Sequence, residues 1–316
     1  MKREPLFLEP VFKERIWGGD RLQKEFGYDI PSPRTGECWG ISAHEHGPSI
    51  IKNGPLAGKT LIEAWSRHRD WFGDHPADEF PLLTKILDAR TDLSVQVHPN
   101  DHYAQKVERV PYGKTECWYV IDCEEGAEIV YGHHADSKET FQAMVEQGVW
   151  DKLLRRVKVK PGDFFFVPSG TIHAIGAGIM ILETQQSSDI TYRVYDYGRR
   201  DENGNERELH IDKAIEVTRF PHQNVPLTYE VLRESRAVVT TLVSDKYFTV
   251  YHWDVRGHLT RSMDKPFILV SVIKGGGTLV IDDDRYEIKK GDHFIIPSGV
   301  WEFEIVGECE CIASHT

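Results

Sequence analysis

Three short stretches carry side chains that can grip a metal ion. In LSVQVHP (Leu93 to Pro99) Ser94, Gln96 and His98 alternate with Leu93, Val95 and Val97, so Gln96 and His98 leave an extended chain on one face. Pro99 disfavours helical backbone at His98 and has no N–H, which keeps the histidine extended and ends the strand. In GKTECWYV, Lys114 and Glu116 share a face that Trp118 and Val120 continue, and a carboxylate heading an apolar strand face calls for a cation. In KPGDFFFVPSGTIHAI, His173 follows a turn and lands on the next strand. His98, Glu116 and His173 thus offer two imidazoles and a carboxylate, with the Gln96 amide oxygen two residues from His98. Such donors suit zinc or a similar divalent ion with at least one coordination position open. Taken singly, each of these residues could equally be a satisfied polar core residue.

Positive charge lies near these donors. Lys85 interrupts the apolar run LLTKILD and Lys114 stands two residues from Glu116, so both can serve an anionic ligand although the net charge is -12. A lysine snorkelling to the surface is the alternative for each. Along Thr191, Arg193 and Tyr195 the alternation sets Arg193 against Tyr192 and Val194, leaving its guanidinium free to hold an oxyanion or a phosphate. Glu183 and Asp189 lead up to Arg193 as acidic candidates for proton transfer, or as its ion-pair partners. His44, His46, His133, His134, His252 and His258 lack partners at ligand spacing and read as surface or core residues. His102, close to His98 in sequence, is a minor candidate for substrate contact, and Trp39, Trp118 and Tyr195 read as core or pocket wall.

What must position these residues is β structure. Period-two runs at Leu93 to Pro99, Cys117 to Ile121, Phe164 to Pro168, Gly178 to Thr184 and Phe267 to Ile273, with Gly, Pro and Asp turns between them, predict a β-sandwich or jelly roll. Helices are few. TLIEAWSRHRDWF pairs a Thr60/Glu63 capping box with a stripe of Leu61, Ala64, Trp65, His68 and Phe72; a second helical stretch spans 137–155 with a break near Gly148, and a third spans 211–218.

The chain also repeats itself. KPGDFFFVPSGTIHAI from Lys160 aligns without a gap on KKGDHFIIPSGVWEFEI from Lys289, matching Gly162-Asp163 to Gly291-Asp292 and Pro168-Ser169-Gly170 to Pro297-Ser298-Gly299. Where the first copy has His173 the second has Glu302, and FILVSVIKGGGTLVI upstream of the second copy holds no histidine. The second copy therefore keeps the turns and loses the ligands. Residues 1–235 are expected to form a metal-binding domain with helical insertions, residues 236–316 a degenerate jelly roll without metal, and residues 220–236 a polar linker.

Composition narrows the partners. With 40% hydrophobic residues the chain is too apolar to be disordered, and no apolar run is long enough for a spanning helix. MKREPLFLEPVFKERIW breaks any signal-peptide core with charges and prolines, so a cytoplasmic location is expected. The cysteines, Cys38, Cys117, Cys123, Cys309 and Cys311, include no C-x-x-C pair and read as reduced thiols, with Cys309 and Cys311 on one strand face. Nucleic acid and membrane surfaces are poor partners for so acidic a chain.

The turn-strand-turn phrase that ends in His173 resembles the second metal-binding motif of the cupin superfamily. The ordered set FKERIWGG, TGECWGIS, FPLLTKILDA, LSVQVHPND, GKTECWYV, VPSGTIHAIG and LETQQSSDITYRVYDYGR resembles type I mannose-6-phosphate isomerases (phosphomannose isomerases) of the short bacterial form, over essentially the whole chain. The resemblance implies a mainly β fold of two cupin-type jelly-roll barrels or sandwiches with a few inserted helices. It implies Gln96, His98, Glu116 and His173 as ligands of one Zn²⁺ per chain or another divalent ion, Arg193 in the catalytic position, and a phosphosugar substrate. The reaction would interconvert mannose 6-phosphate and fructose 6-phosphate through a cis-enediol, in a monomer or weak homo-oligomer. Lys85, Lys114 and Arg193 would contact substrate. Arg193 would stabilise charge, since a guanidinium does not readily accept a proton. The base stays open between Lys114, Glu183, Asp189 and a metal-bound water. Two other readings share the ligands: a non-haem dioxygenase, whose facial triad is also two histidines and a carboxylate, and a cupin that binds sugar without turning it over. Cations beside the site argue against both.

Overall fold

The period-two runs become strands in three sheets, seen in a computed structural model that describes residues 3–201 and 203–316. Met1 and Lys2 of the expected first domain, and Glu202, lie outside the described residues. A six-stranded sheet runs Phe164–Val167, Glu116–Cys123, Ile179–Gln186, Leu82–Ala89, Val11–Gly19, Thr35–Ile41. A five-stranded sheet runs Tyr192–Tyr195, Val95–Val97, His173–Ala174, Glu128–His133, Leu154–Lys158. The fold is mainly β, as expected.

Alternation decides what each strand buries. Trp118 and Val120 join a core between these two sheets with Trp17, Leu87, Ile129 and Ile181. Their neighbours Cys117 and Tyr119 face the opposite way, into a second core with Leu182, Phe72 and the helix Leu61–Arg67. Behind the five-stranded sheet, Val95, Val97, Tyr192 and Val194 pack on Phe141, Leu153 and Ala214 of the helices Lys138–Glu146, Trp150–Leu153 and Ile211–Val217. Each strand that carries a candidate ligand is thus anchored by apolar residues on its other face.

The helices follow their signals with local corrections. Thr60 and Glu63 close a reciprocal capping box, Glu63 N–H donating to Thr60 Oγ1 at 3.2 Å and Thr60 N–H to Glu63 Oε2 at 2.9 Å. The helix ends at Arg67 because His68 leaves helical backbone, at φ -135°, and a separate 3₁₀ turn brings Phe72 into the core. Gly148 interrupts the second stretch with φ 66°, but Leu154 and Arg155 turn out to begin a strand. The expected linker contains the strand Glu230–Arg233, paired with Ala237–Ser244, since its Val231 and Leu232 suit a sheet edge.

A nine-stranded sheet holds the second copy of the repeat. Matched glycines adopt matched backbones, φ 88° at Gly162 and 94° at Gly291, then 84° at Gly170 and 89° at Gly299, conformations that a side chain would strain. Asp163 and Asp292 each accept the N–H three residues back, from Lys160 at 2.9 Å and Lys289 at 2.8 Å. The turns therefore account for what the copies keep. His173 is buried where the first copy needs it, whereas Glu302 is exposed at the start of the strand Glu302–His315. All five cysteines are free, and Cys309 and Cys311 do share a face, their sulfurs 3.9 Å apart. Among the described residues no helix is long and apolar enough to cross a membrane.

The two repeat regions are sewn together. Leu6–Glu9 pairs with His293–Ile296 of the nine-stranded sheet, and Leu6, Leu182, Phe248, Phe267 and Ile295 share one core. His293 is buried at this seam, its Nδ1 2.8 Å from Ser271 Oγ and its Nε2 3.0 Å from Tyr28 OH. Gly40 packs flat on its ring, and a Cβ there would sit 2.4 Å from the imidazole. Gly40→Ala is expected to destabilise the protein by about 1–3 kcal/mol, the usual penalty for overpacking, measured as a lower urea midpoint with an unchanged slope.

Candidate functional site

Pairing of short strands builds the site. Val95–Val97 sets Gln96 opposite His173 on one side and opposite Arg193 on the other. Glu116 enters from the facing six-stranded sheet, its Oε1 3.2 Å from His173 Nε2 and its Oε2 3.4 Å from His98 Nε2. One ligand atom from each of His98, Glu116 and His173 falls within 4.8 Å of the others, and all three residues are buried. The Gln96 amide lies 3.4 Å from His173 Nε2, at the rim of the same group. The structure therefore brings together the four side chains expected to act as ligands.

Both imidazoles are oriented from behind. His98 Nδ1 donates to the Ile190 carbonyl at 2.7 Å and His173 Nδ1 to the Thr171 carbonyl at 2.8 Å. That fixes the Nδ1–H tautomer and turns both Nε2 lone pairs toward Glu116, the arrangement in which histidine binds metal. Burial, with the Lys114 charge added, pushes His98 down to about 3, and burial lowers His173 as well, so both stay neutral. Burial alone would raise Glu116, but the charges of Lys114, His173 and His98 outweigh it and hold the carboxyl well below its usual range. Lys114 Nζ is 2.8 Å from Glu116 Oε2. That ion pair is not aligned as a hydrogen bond, and among the described residues neither Glu116 oxygen has a hydrogen-bond donor. A fully buried carboxylate with both oxygens orphaned, facing two outward lone pairs, fits a cation.

Of the four candidate ligands, Gln96 and His173 line a cavity of about 610 Å³, while His98 and Glu116 are buried outside its lining. Lys85, Lys114, Glu183, Asp189 and Arg193 all line it, as do the walls Trp39 and Trp118. Trp118 Nε1 donates to Glu183 Oε2 at 3.0 Å, and Lys85 Nζ is 3.6 Å from Glu183 Oε1. Burial and the Glu116 charge raise Glu183 above the ordinary carboxylate range. For Lys114, burial acts downward but the charges of Glu116 and Glu183 override it, so it stays an ammonium. Arg193 donates to Ser94 Oγ at 3.3 Å and to the Glu208 carbonyl at 2.7 Å, and among the described residues no carboxylate lies within ion-pair distance of it. Neither Glu183 nor Asp189 pairs with it after all.

Several expectations need correction. His46 is no bystander: its Nδ1 lies 2.6 Å from Asp189 Oδ2 on the cavity wall, with His44 Nε2 3.6 Å from Oδ1. Only tertiary folding joins a turn at 44–46 to a loop at 189, so spacing could not show it. Tyr195 takes the core alternative rather than the pocket wall, packing behind the five-stranded sheet and stacking on Trp150 at 4.2 Å. His102 is exposed and outside the lining. Lys13, Arg15, Glu37 and Arg207 also line the cavity. Arg15 grips Glu37 with two hydrogen bonds of 3.0 and 3.1 Å, and Trp39 Nε1 adds a third at 2.6 Å. Burial would raise Glu37, but the Lys85 and Arg15 charges bring it to about 2. The alternation Lys13, Arg15, Trp17 and Glu37, Trp39 was the available signal. It marks one strand face.

His98→Ala and His173→Ala are each expected to remove bound metal, while Gln96→Ala weakens retention by only about 10- to 100-fold, the range for a supporting rather than a principal contact. Elemental analysis after dialysis against graded chelator reads the order directly.

Comparison with known proteins gives the family. Residues 6–131 match the model "Phosphomannose isomerase type I, catalytic domain", and residues 238–316 match "Mannose-6-phosphate isomerase, cupin domain". The chain is 56% identical to mannose-6-phosphate isomerase ManA of Bacillus subtilis over 100% of both chains. It is 51% identical to the mannose-6-phosphate isomerase of Streptococcus mutans, covering 99% of this chain and 98% of that one. A crystal structure of mannose 6-phosphate isomerase from Bacillus subtilis superposes with a TM-score of 0.98 at 52% identity, over 99% of this chain and 100% of that one. Phosphomannose isomerase from Salmonella typhimurium, at 16% identity and a TM-score of 0.80, shares the fold. With relatives this similar over their full lengths, the chain belongs to the type I phosphomannose isomerases.

Proposed function

We propose that the chain interconverts mannose 6-phosphate and fructose 6-phosphate, with His98, Glu116, His173 and Gln96 holding one divalent ion, Zn²⁺ by preference for such N/O donors. The observation that carries the reading is the orphaned Glu116 carboxylate, 3.2 Å from His173 in the wall of a cavity that also presents an unpaired guanidinium. Bound there, a divalent ion supplies positive charge against sugar oxygens as they become negative. The residues do the rest. Arg193, without a carboxylate of its own, takes oxyanion or phosphate charge, and Lys85 and Lys114 add to the field. Glu183 is the group best placed to carry the proton between the two carbons, because burial raises its affinity for protons while Trp118 fixes its geometry. Lys114, held charged between Glu116 and His98, is a poorer acceptor. Residues 236–316 serve as scaffold and residues 1–235 carry the chemistry. Phosphosugars do not cross bilayers unaided, which supports a cytoplasmic place of work.

A coupled assay of mannose 6-phosphate turnover with metal analysis on the same sample tests this reading. Activity is expected to vanish with chelator and return with Zn²⁺ or a similar ion; full activity in metal-free protein would end it. Arg193→Ala is expected to lower kcat by about 10²- to 10³-fold at unchanged metal content, as for loss of one preorganised charge-stabilising group. In D₂O, proton transfer through an enediol is expected to place some deuterium at C1 of fructose 6-phosphate, seen by NMR of early product, and Glu183→Gln should abolish it together with turnover. The incorporation can be partial where a shielded base returns its own proton.

A further inference from the structure

The His44, His46 and Asp189 group stands apart from the buried ligands, at the exposed edge of the same cavity, with the His46 side chain 61% exposed. Its composition matches a metal triad, but its hydrogen bonds do not. The His46 backbone N–H donates to His44 Nδ1 at 3.2 Å, so a neutral His44 carries its proton on Nε2, the atom turned toward Asp189. A nitrogen that bears a proton cannot ligate. Asp189, held ionised because its bond to His46 and the nearby histidine and lysine charges outweigh the effect of burial, can only accept hydrogen bonds. His46 Nδ1 at 2.6 Å must therefore be the donor, which leaves Nε2 as a lone pair. Lys13 anchors the turn by donating to the His46 carbonyl. Of the surrounding carboxylates, Glu45 is 3.9 Å from Nε2, too far to occupy the lone pair. This is a base held by an orienting carboxylate, the general pattern for moving protons.

We propose that His46, oriented by Asp189, is a catalytic acid–base group that opens the sugar ring before isomerisation. This inference rests on the proposed function and assigns a step that function requires, since the substrate must become an open-chain aldehyde before carbon-bound hydrogen can move. His46 Nε2 takes the proton from the O1 hydroxyl, the O1 electron pair forms the C1=O1 bond, and the C1–O5 bond breaks with its pair going to O5. The imidazolium then returns the proton to O5. O1 and O5 are both bonded to C1, so one ring nitrogen can serve both oxygens. Protons and electrons balance, and no further reactant is needed.

The test uses the metal-loaded full chain and increasing enzyme concentration against ring-closed mannose 6-phosphate. Wild-type rates are expected to keep rising past the uncatalysed ring-opening rate, measured separately by exchange NMR. His46→Gln, with unchanged metal content and melting temperature, is expected to lose about 10²-fold in kcat/KM, the scale of general acid–base catalysis, and to plateau at the uncatalysed ring-opening rate. Asp189→Asn is expected to fall between the two. A His46→Gln enzyme that passes the plateau overturns the proposal. So does a second equivalent of metal bound by wild type and lost in His46→Gln, which would give the triad to a cation. Wild type that turns over no mannose 6-phosphate at all overturns the parent reading instead, and is told apart by that control.

Discussion

Everything in the first half of the molecule answers to one cost, the burial of the Glu116 carboxylate without a hydrogen-bond donor. Removing an ionised carboxylate from water is too expensive to stand uncompensated, so the surroundings must hold a cation or force a proton on. Lys114 at 2.8 Å is one compensation, and it leaves both oxygens still short of donors. The neutral histidines cannot supply the rest, because their protons are spent on the Ile190 and Thr171 carbonyls and their lone pairs face inward. Lys114 Nζ, 2.8 Å from Glu116 Oε2 and 3.2 Å from His98 Nε2, offsets part of the repulsion among these acceptors, but Glu116 Oε1 and the His173 Nε2 lone pair still face each other at 3.2 Å. Packing keeps them there: Val95, Val97 and Trp118 pin the strands that carry them into two separate cores.

The same constraint explains how the repeat diverged. Turns at Gly162 and Gly291, or Gly170 and Gly299, are demanded by backbone geometry whether or not an ion is present, so both copies retain them. His173 is demanded only by Glu116. In the second copy the matching position is exposed, and the interior fills with Trp253, Val270, Phe303 and Cys311 instead. Freed of a polar centre, that sheet can pair with Leu6–Glu9 and cap the first core through Phe267 and Ile295.

What could be read from the sequence was what period two encodes. Alternation placed Gln96 with His98, Lys114 with Glu116, and Arg193 against Tyr192, and each pairing of faces holds in the structure. The cap at Thr60 and the break at Gly148 were legible because they are local. His46 was illegible because its meaning comes from Asp189, 143 residues away, across two loops with no period to betray them. Which of its two readings Tyr195 would take, core or pocket wall, was illegible for a related reason: a register shift after Arg193 decides the side on which the next aromatic falls, and it falls on the core. The strand at Glu230–Arg233 hid inside a stretch whose prolines and polar residues spoke for a linker.

Charge pairing, finally, shows how an acidic chain can receive an anion. Six cationic side chains line the cavity: Lys13, Arg15, Lys85, Lys114, Arg193 and Arg207. Most are already committed, Arg15 to Glu37, Lys85 to Glu183, Lys114 to Glu116 and Arg207 to Asp196. Each committed pair is rigid and contributes a dipole rather than a full charge, which keeps the empty pocket from holding an unbearable density of like charge. Arg193 and Lys13 are the exceptions: Arg193 is fixed by Ser94 Oγ and the Glu208 carbonyl, Lys13 by the His46 carbonyl and the Trp39 ring, and these partners do not cancel their charges. The result is a cavity whose cations are mostly paired, with positive charge left uncompensated at Lys13 and at the Arg193 guanidinium opposite Gln96. Pairing thus confines the free positive charge of the cavity to two of its lining side chains, where a general attraction for anions becomes a local one.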